Sequence, residues 1–146
     1  MMGSKDNVQF SNAFNFKVIY AFTVNDEKHK GLIKIGDATL HTGSSIDNLS
    51  PNTRELNQAA LTRIKSYTYT VGVTPNLLYT ELAIKEVHAK DGSIQLKAFR
   101  DHDVHKVLEN SGIKKAKIDG STGREWYHID KETAIEAIQA VKKELC

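Results

Sequence analysis

The sequence predicts an α+β fold in which two β-hairpins alternate with three amphipathic helices. Three observations carry that expectation. Between Phe16 and Ala38, two apolar runs rich in β-branched and aromatic residues, Lys17 to Val24 and Gly31 to Gly36, flank a polar turn from Asn25 to Lys30. Between Leu77 and Phe99, alternating apolar and polar residues run into and out of an Asp91-Gly92 turn. Three further stretches, starting near Asn52, Asp101 and Asp130, repeat apolar residues at helical spacing.

Composition limits what such a chain does. At 146 residues and 40% hydrophobic content it supports one domain with a real core. No run approaches the roughly 20 apolar residues of a membrane helix, and MMGSKDNVQF lacks the apolar centre of a signal peptide, so a soluble, cytoplasmic protein with no membrane partner is expected. A lone Cys146 excludes an internal disulfide framework and a cysteine zinc site. The net charge of +2 permits a polyanionic partner without the strong basic footprint of a DNA-coating protein.

In chain order, residues 1–15 are polar and aperiodic and read as an N-terminal tail ahead of a single domain over 16–146. In the first hairpin, pairing Tyr20 opposite Lys34 would project a phenol and an ammonium from one face. A Ser/Thr/Asn/Gly-rich loop, Thr39 to Pro51, leads to a helix that starts near Asn52, with Glu55 as capping-box partner, or at Ser50-Pro51. This helix runs to about Tyr67 with an apolar stripe of Leu56, Ala60, Ile64 and Tyr67, and helical angle sets Arg63 inside that stripe. Leu77 to His88 reads as one strand and Ile94 to Phe99 as its hairpin partner. The next helix begins at Arg100 or Asp101 and stops before Gly112, with Asp101, Val104, His105 and Leu108 on one face. Ile113 to Asp119 and Glu125 to Asp130 read as short strands, and Asp130 caps a last helix striped by Ala134, Ile138, Val141 and Leu145. That helix meets no stop signal before Cys146, so the domain is expected to belong to a longer polypeptide.

Four polar residues stand on sides that are otherwise apolar: Tyr20, Lys34, Arg63 and Asp101. Phosphodiester cleavage needs these types, namely a group that generates the nucleophile, a carboxylate for a divalent metal, and cations for the transition-state charge. Glu81 is the alternative metal ligand, and His105, on the face of Asp101, would support that carboxylate from behind. The cluster Lys114, Lys115, Lys117 and Arg124 offers a track for a DNA backbone.

Tyr20 in VIY, Lys34-Ile35-Gly36 as KIG, Arg63 on the following helix, Asp101 in DHDVH and Glu125-Trp126-Tyr127 occur in an order that resembles the GIY-YIG nuclease superfamily, most closely its phage-T5-type branch with KIG in place of YIG. The resemblance spans roughly Phe16 to Leu145. It implies a small central, mainly antiparallel sheet flanked by about three helices, with a single-metal site on the sheet surface; the hairpin around Asp91-Gly92 would be an insertion. It also implies Mg²⁺, or Mn²⁺, as cofactor, DNA as substrate, and fusion to C-terminal helicase or restriction domains in bacteria. Tyr20 matches the base or water-orienting tyrosine, Lys34 replaces the second tyrosine, Arg63 matches the phosphate-binding arginine, and Asp101 stands where the family carries a metal-binding glutamate. A metal-dependent DNA endonuclease, acting as a monomer or homodimer, is the first expectation. An inactive DNA-binding or partner-docking module on the same fold is the second.

Overall fold

Alternation in the strands places apolar side chains on both faces of a sheet, so both faces require covering layers. The computed structural model describes residues 16–40, 50–72, 74–116 and 126–143. Among them are six strands, β1 (Phe16–Val24), β2 (Ile33–Leu40), β3 (Pro75–Leu82), β4 (Ile84–His88), β5 (Ile94–Ala98) and β6 (Trp126–Tyr127), and three helices, α1 (Arg54–Val71), α2 (Asp101–Asn110) and α3 (Lys131–Lys142). The main sheet is antiparallel in the order β3-β1-β2-β6, while β4 and β5 form a separate hairpin. This is the small α+β architecture the sequence predicts, with the second hairpin as a small separate sheet.

The two faces have different covers. Ile19, Ala21, Ile33, Ile35 and Tyr127 turn toward Val104 and Leu108 of α2 and toward Ala134, Ile138 and Val141 of α3. Tyr20, Phe22, Ala38 and Trp126 turn the other way, toward Ala60 and Ile64 of α1. Trp126 is fully buried, with Phe22 edge-on at 5.6 Å and His29 at 4.4 Å between ring centroids. Burying each such aromatic contributes about 2 kcal/mol or more.

Several sequence expectations are corrected. Tyr20 pairs with Gly36, and Lys34 pairs with Phe22, so the register is two residues from the one expected. A one-residue slip would have moved Lys34 to the other face; a two-residue slip keeps it diagonal to Tyr20 on the same face. The strand read through Leu77 to His88 breaks at Ala83, whose N–H donates to Lys17 O at 2.8 Å and whose carbonyl accepts from Phe99 N–H at 3.0 Å. These bonds turn the chain out of the main sheet and into the β4–β5 hairpin, where Asp91 Oδ1 accepts from Ser93 N–H at 2.9 Å and Gly92 takes φ +90°. Helix α1 starts one residue after Thr53 and extends to Val71, four residues beyond the expected end, where Gly72 adopts the left-handed conformation. Asn52 is not its cap; at φ +64° its side chain accepts from Thr80 N–H at 3.0 Å and ties the helix start to β3. Asp130 does cap α3, accepting from Thr133 N–H at 2.8 Å. The last expected hairpin is present in part: Lys115 bridges antiparallel to Tyr127, and Ala116 N–H donates to Trp126 O at 2.7 Å. Among the described residues there only Trp126 and Tyr127 form a strand, paired with β2, and residues 117–125 and 144–146 lie outside the described residues. No described helix is long and apolar enough to cross a membrane.

Candidate active site

β6 pairs with β2 only at Ile33 and Lys34. Farther along β2, the N-terminus of α2 meets the strand instead: Asp101 N–H donates to Asp37 Oδ2 at 3.1 Å. Arg100 closes on the same carboxylate with both arms of its fork, Nε to Oδ2 at 2.6 Å and Nη2 to Oδ1 at 3.3 Å. A carboxylate at a helix N-terminus is favoured by the helix dipole as well as by these donors. Asp103 Oδ2 accepts from Arg100 N–H at 2.9 Å and fixes the start of α2.

At this junction lies an open cavity of about 290 Å³. Tyr20, Lys34, Arg63 and Asp101 all line it. So do three charged residues that the motif reading does not name, Lys17, Asp37 and Arg100, and the hydroxyl-bearing Thr39. Four basic side chains thus face two carboxylates, a balance that attracts an anion such as a phosphate.

The motif glycine has a physical reason. A Cβ at Gly36 would lie 2.6 Å from the Tyr20 hydroxyl oxygen and 2.8 Å from the ring carbon that bears it, so only glycine lets the phenol cross β2. Tyr20 is 4% exposed and tilts against Phe22 at 5.7 Å, which fixes where its hydroxyl sits. Lys34 emerges between the cross-strand neighbours Phe22 and Trp126. Lys17 Nζ donates to Thr39 Oγ1 at 2.9 Å across the β1–β2 pair.

Arg63 differs from expectation. It lies at the helical angle of Leu56, yet it is exposed, because the cavity separates this part of α1 from the sheet. Among the described residues it forms no ion pair.

The carboxylates are not equivalent. Burial raises the cost of charging Asp37, but the Arg100 side chain, the Asp101 N–H and a hydrogen bond with the Asp101 side chain outweigh it and hold Asp37 below the usual carboxylate range. Arg100 in turn is pushed above its ordinary value by Asp37. The Asp101 side chain is 16% exposed and lies 3.3 Å from His102 Nδ1. Among the described residues, no three His, Cys, Asp or Glu side chains converge on one point. Both Asp37 oxygens are taken up by Arg100 and the Asp101 N–H, so of the two adjacent acids Asp101 is the one a magnesium ion would use. Such an ion keeps several of its waters and takes one or two carboxylates.

Other sequence candidates fall elsewhere. His105 is buried on the opposite face, and its Nε2 donates to Ile35 O at 2.9 Å while its ring packs on Tyr127 at 5.6 Å. It anchors α2 to β2 from behind the cavity and does not line it. Glu81 is also on that face, 5% exposed, accepting from Tyr79 OH, from Gln139 Nε2 at 2.5 Å and from Lys142 Nζ at 2.9 Å. Lys114 and Lys115 are exposed beyond the C-terminal end of α2, with Lys115 3.5 Å from Glu109, so the length of that helix, about 15 Å, separates them from Asp101. Lys117 and Arg124, like Glu125, lie outside the described residues. The missed members had faint signals: Asp37 directly follows KIG, and Arg100 directly precedes Asp101, but their pairing spans 63 residues and is tertiary. No family model, curated protein or solved structure matches this chain, so its site is read from its own residues.

Proposed function

We propose that this chain is a metal-dependent DNA endonuclease domain of GIY-YIG type, hydrolysing phosphodiester bonds in the cavity between β2 and the start of α2. One observation carries the reading: Tyr20, Lys34, Arg63 and Asp101, selected from sequence for phosphodiester chemistry, line a single polar cavity together with Lys17 and Arg100.

In this reading the phosphate enters among Lys34, Arg63 and Lys17, whose charges are worth most against the charge that builds in the transition state. Arg63 suits a phosphate with its planar fork, and its exposure lets it reach a bound strand. Tyr20, fixed against Phe22 and over Gly36, orients the attacking water through its hydroxyl. Arg100 holds Asp37, and Asp37 holds the Asp101 N–H, so the metal-facing carboxylate of Asp101 starts from a fixed helix end. Mg²⁺ or Mn²⁺ held by Asp101, with Asp37 alongside, would supply Lewis-acid polarisation of the phosphate and an acidified water.

A single cavity cuts one strand per encounter, so a double-strand break requires a second copy or a second event. Delivery to DNA would fall to restriction or helicase domains on the same polypeptide. Plasmid nicking with Mg²⁺ or Mn²⁺ tests the reading: wild type nicks, whereas Tyr20→Phe and Asp101→Asn lose at least a hundredfold in rate, the low end for a positioned proton-transfer or metal-binding group. DNA binding without nicking by wild type would instead favour the inactive binding module.

A further inference from the structure

A second cavity, about 550 Å³, opens between β2 and the outer part of α1. Its apolar lining is Ala38 and Leu40 of β2 with Ala59 of α1, and one side of α1 adds Glu55, Gln58, Thr62 and Ser66. These polar residues recur at intervals of three or four, so they form one continuous face of the helix. Ala38, Thr39 and Arg63 line this cavity and the smaller one alike. The two spaces therefore adjoin, with Arg63 at their boundary.

Their chemistries are opposite. The smaller cavity gathers four cations. The larger has Arg63 alone at its border, a carboxylate at Glu55, and neutral amide and hydroxyl groups between. Glu55 would repel a phosphate but accepts hydrogen bonds from an amino or ring N–H, and Gln58 both donates and accepts. The Thr62 hydroxyl already donates to Gln58 O at 2.9 Å, which leaves its oxygen as an acceptor. An apolar lining, polar edges and a guanidinium able to stack on a ring suit a nucleobase. The volume falls within the usual range for small-molecule sites.

Resting on the nuclease reading, we infer that the larger cavity receives the unstacked nucleoside attached to the phosphate in the smaller one, so that this enzyme acts on unpaired nucleotides in DNA, in flaps, bulges or single strands, in preference to a continuous duplex. A stacked base cannot reach a pocket beside its own phosphate; only an extruded or unpaired one can.

Binding of a deoxynucleoside 5′-monophosphate and of inorganic phosphate to the wild-type chain, followed by NMR amide shifts, tests this separately from cleavage. The nucleotide is expected to move the amides of Ala59 and Thr62 as well as those of Gly36 and Asp37, and inorganic phosphate only the latter. Thr62→Leu fills the pocket and Gln58→Ala removes its amide; both positions are exposed on α1, and each variant should lower the ratio of nucleotide to phosphate affinity at least tenfold. Equal shifts from both ligands, or an unaltered ratio in both variants, would overturn the nucleoside pocket while leaving the nuclease reading standing. If neither ligand moves Gly36 or Asp37, both proposals fall together.

Discussion

The two faces of the main sheet carry buried polar groups of similar kind and opposite fate. On the α3 side, Glu81 collects a hydroxyl, an amide and an ammonium, and burial with the neighbouring carboxylate pushes the Tyr79 phenol up, so it stays neutral throughout the physiological range. On the α1 side, Tyr20 and Lys34 project from the same strands toward a cavity edged by Arg63 and Asp101. A polar residue in an apolar run is thus not evidence of function by itself. What separates the two sets is whether neighbouring elements close over them or leave space for something else.

The sharpest way to break this contrast is through activity. Arg63→Ala removes an exposed cation and is expected to lower nicking at least a hundredfold with no change in melting temperature, as for loss of one charge-stabilising group. Loss of the fold instead would make Arg63 structural. Glu81→Ala is the mirror experiment. It strands the Lys142 ammonium and the Tyr79 hydroxyl among buried groups, so it should destabilise by about 3 kcal/mol in denaturant unfolding while the folded fraction nicks at the wild-type rate. If nicking disappeared with the fold intact, Glu81 would return as a metal ligand.

Gly36→Ala sits between the two outcomes, because one methyl group touches packing and chemistry at once. The new Cβ would fall within 3 Å of three Tyr20 atoms, so the phenol must move, at about 1–3 kcal/mol for overpacking. Nicking should fall with it. A Gly36→Ala variant that nicks normally would remove Tyr20 from the chemistry.

The elements were legible wherever local periodicity and local caps agree. The Asp130 cap, the Asp91-Gly92 turn and the stripes of α1 and α3 depend on residues within one or two turns of each other. The break at Ala83 was not legible, because the alternation of Leu82 and Ile84 continues through it and the cause is a pair of bonds to Lys17 and Phe99. The site was half legible for a related reason. Tyr20 and Lys34 stand out inside apolar strands, and a two-residue error in register left them on the correct face. Asp37 and Arg100 look like ordinary surface charges until the fold sets them 2.6 Å apart.

That ion pair carries the smallest predicted effect. Asp37 titrates below its ordinary value in the folded state, through burial opposed and outweighed by Arg100 and the Asp101 N–H. For a depressed carboxylate the stabilisation is complete above the unfolded value, about pH 3.9, and disappears as pH falls through the lower folded value, when both states hold the proton. Asp37 is 8% exposed but Arg100 is 49% exposed, so solvent screens the pair and about 1 kcal/mol or less is at stake. Asp37→Asn should therefore flatten part of the wild-type loss of stability below about pH 4. Because Asp37 holds the first turn of α2, the same variant should free the Asp101 amide to faster hydrogen exchange at neutral pH, a local loosening on the cavity side that no change at Glu81 would reproduce.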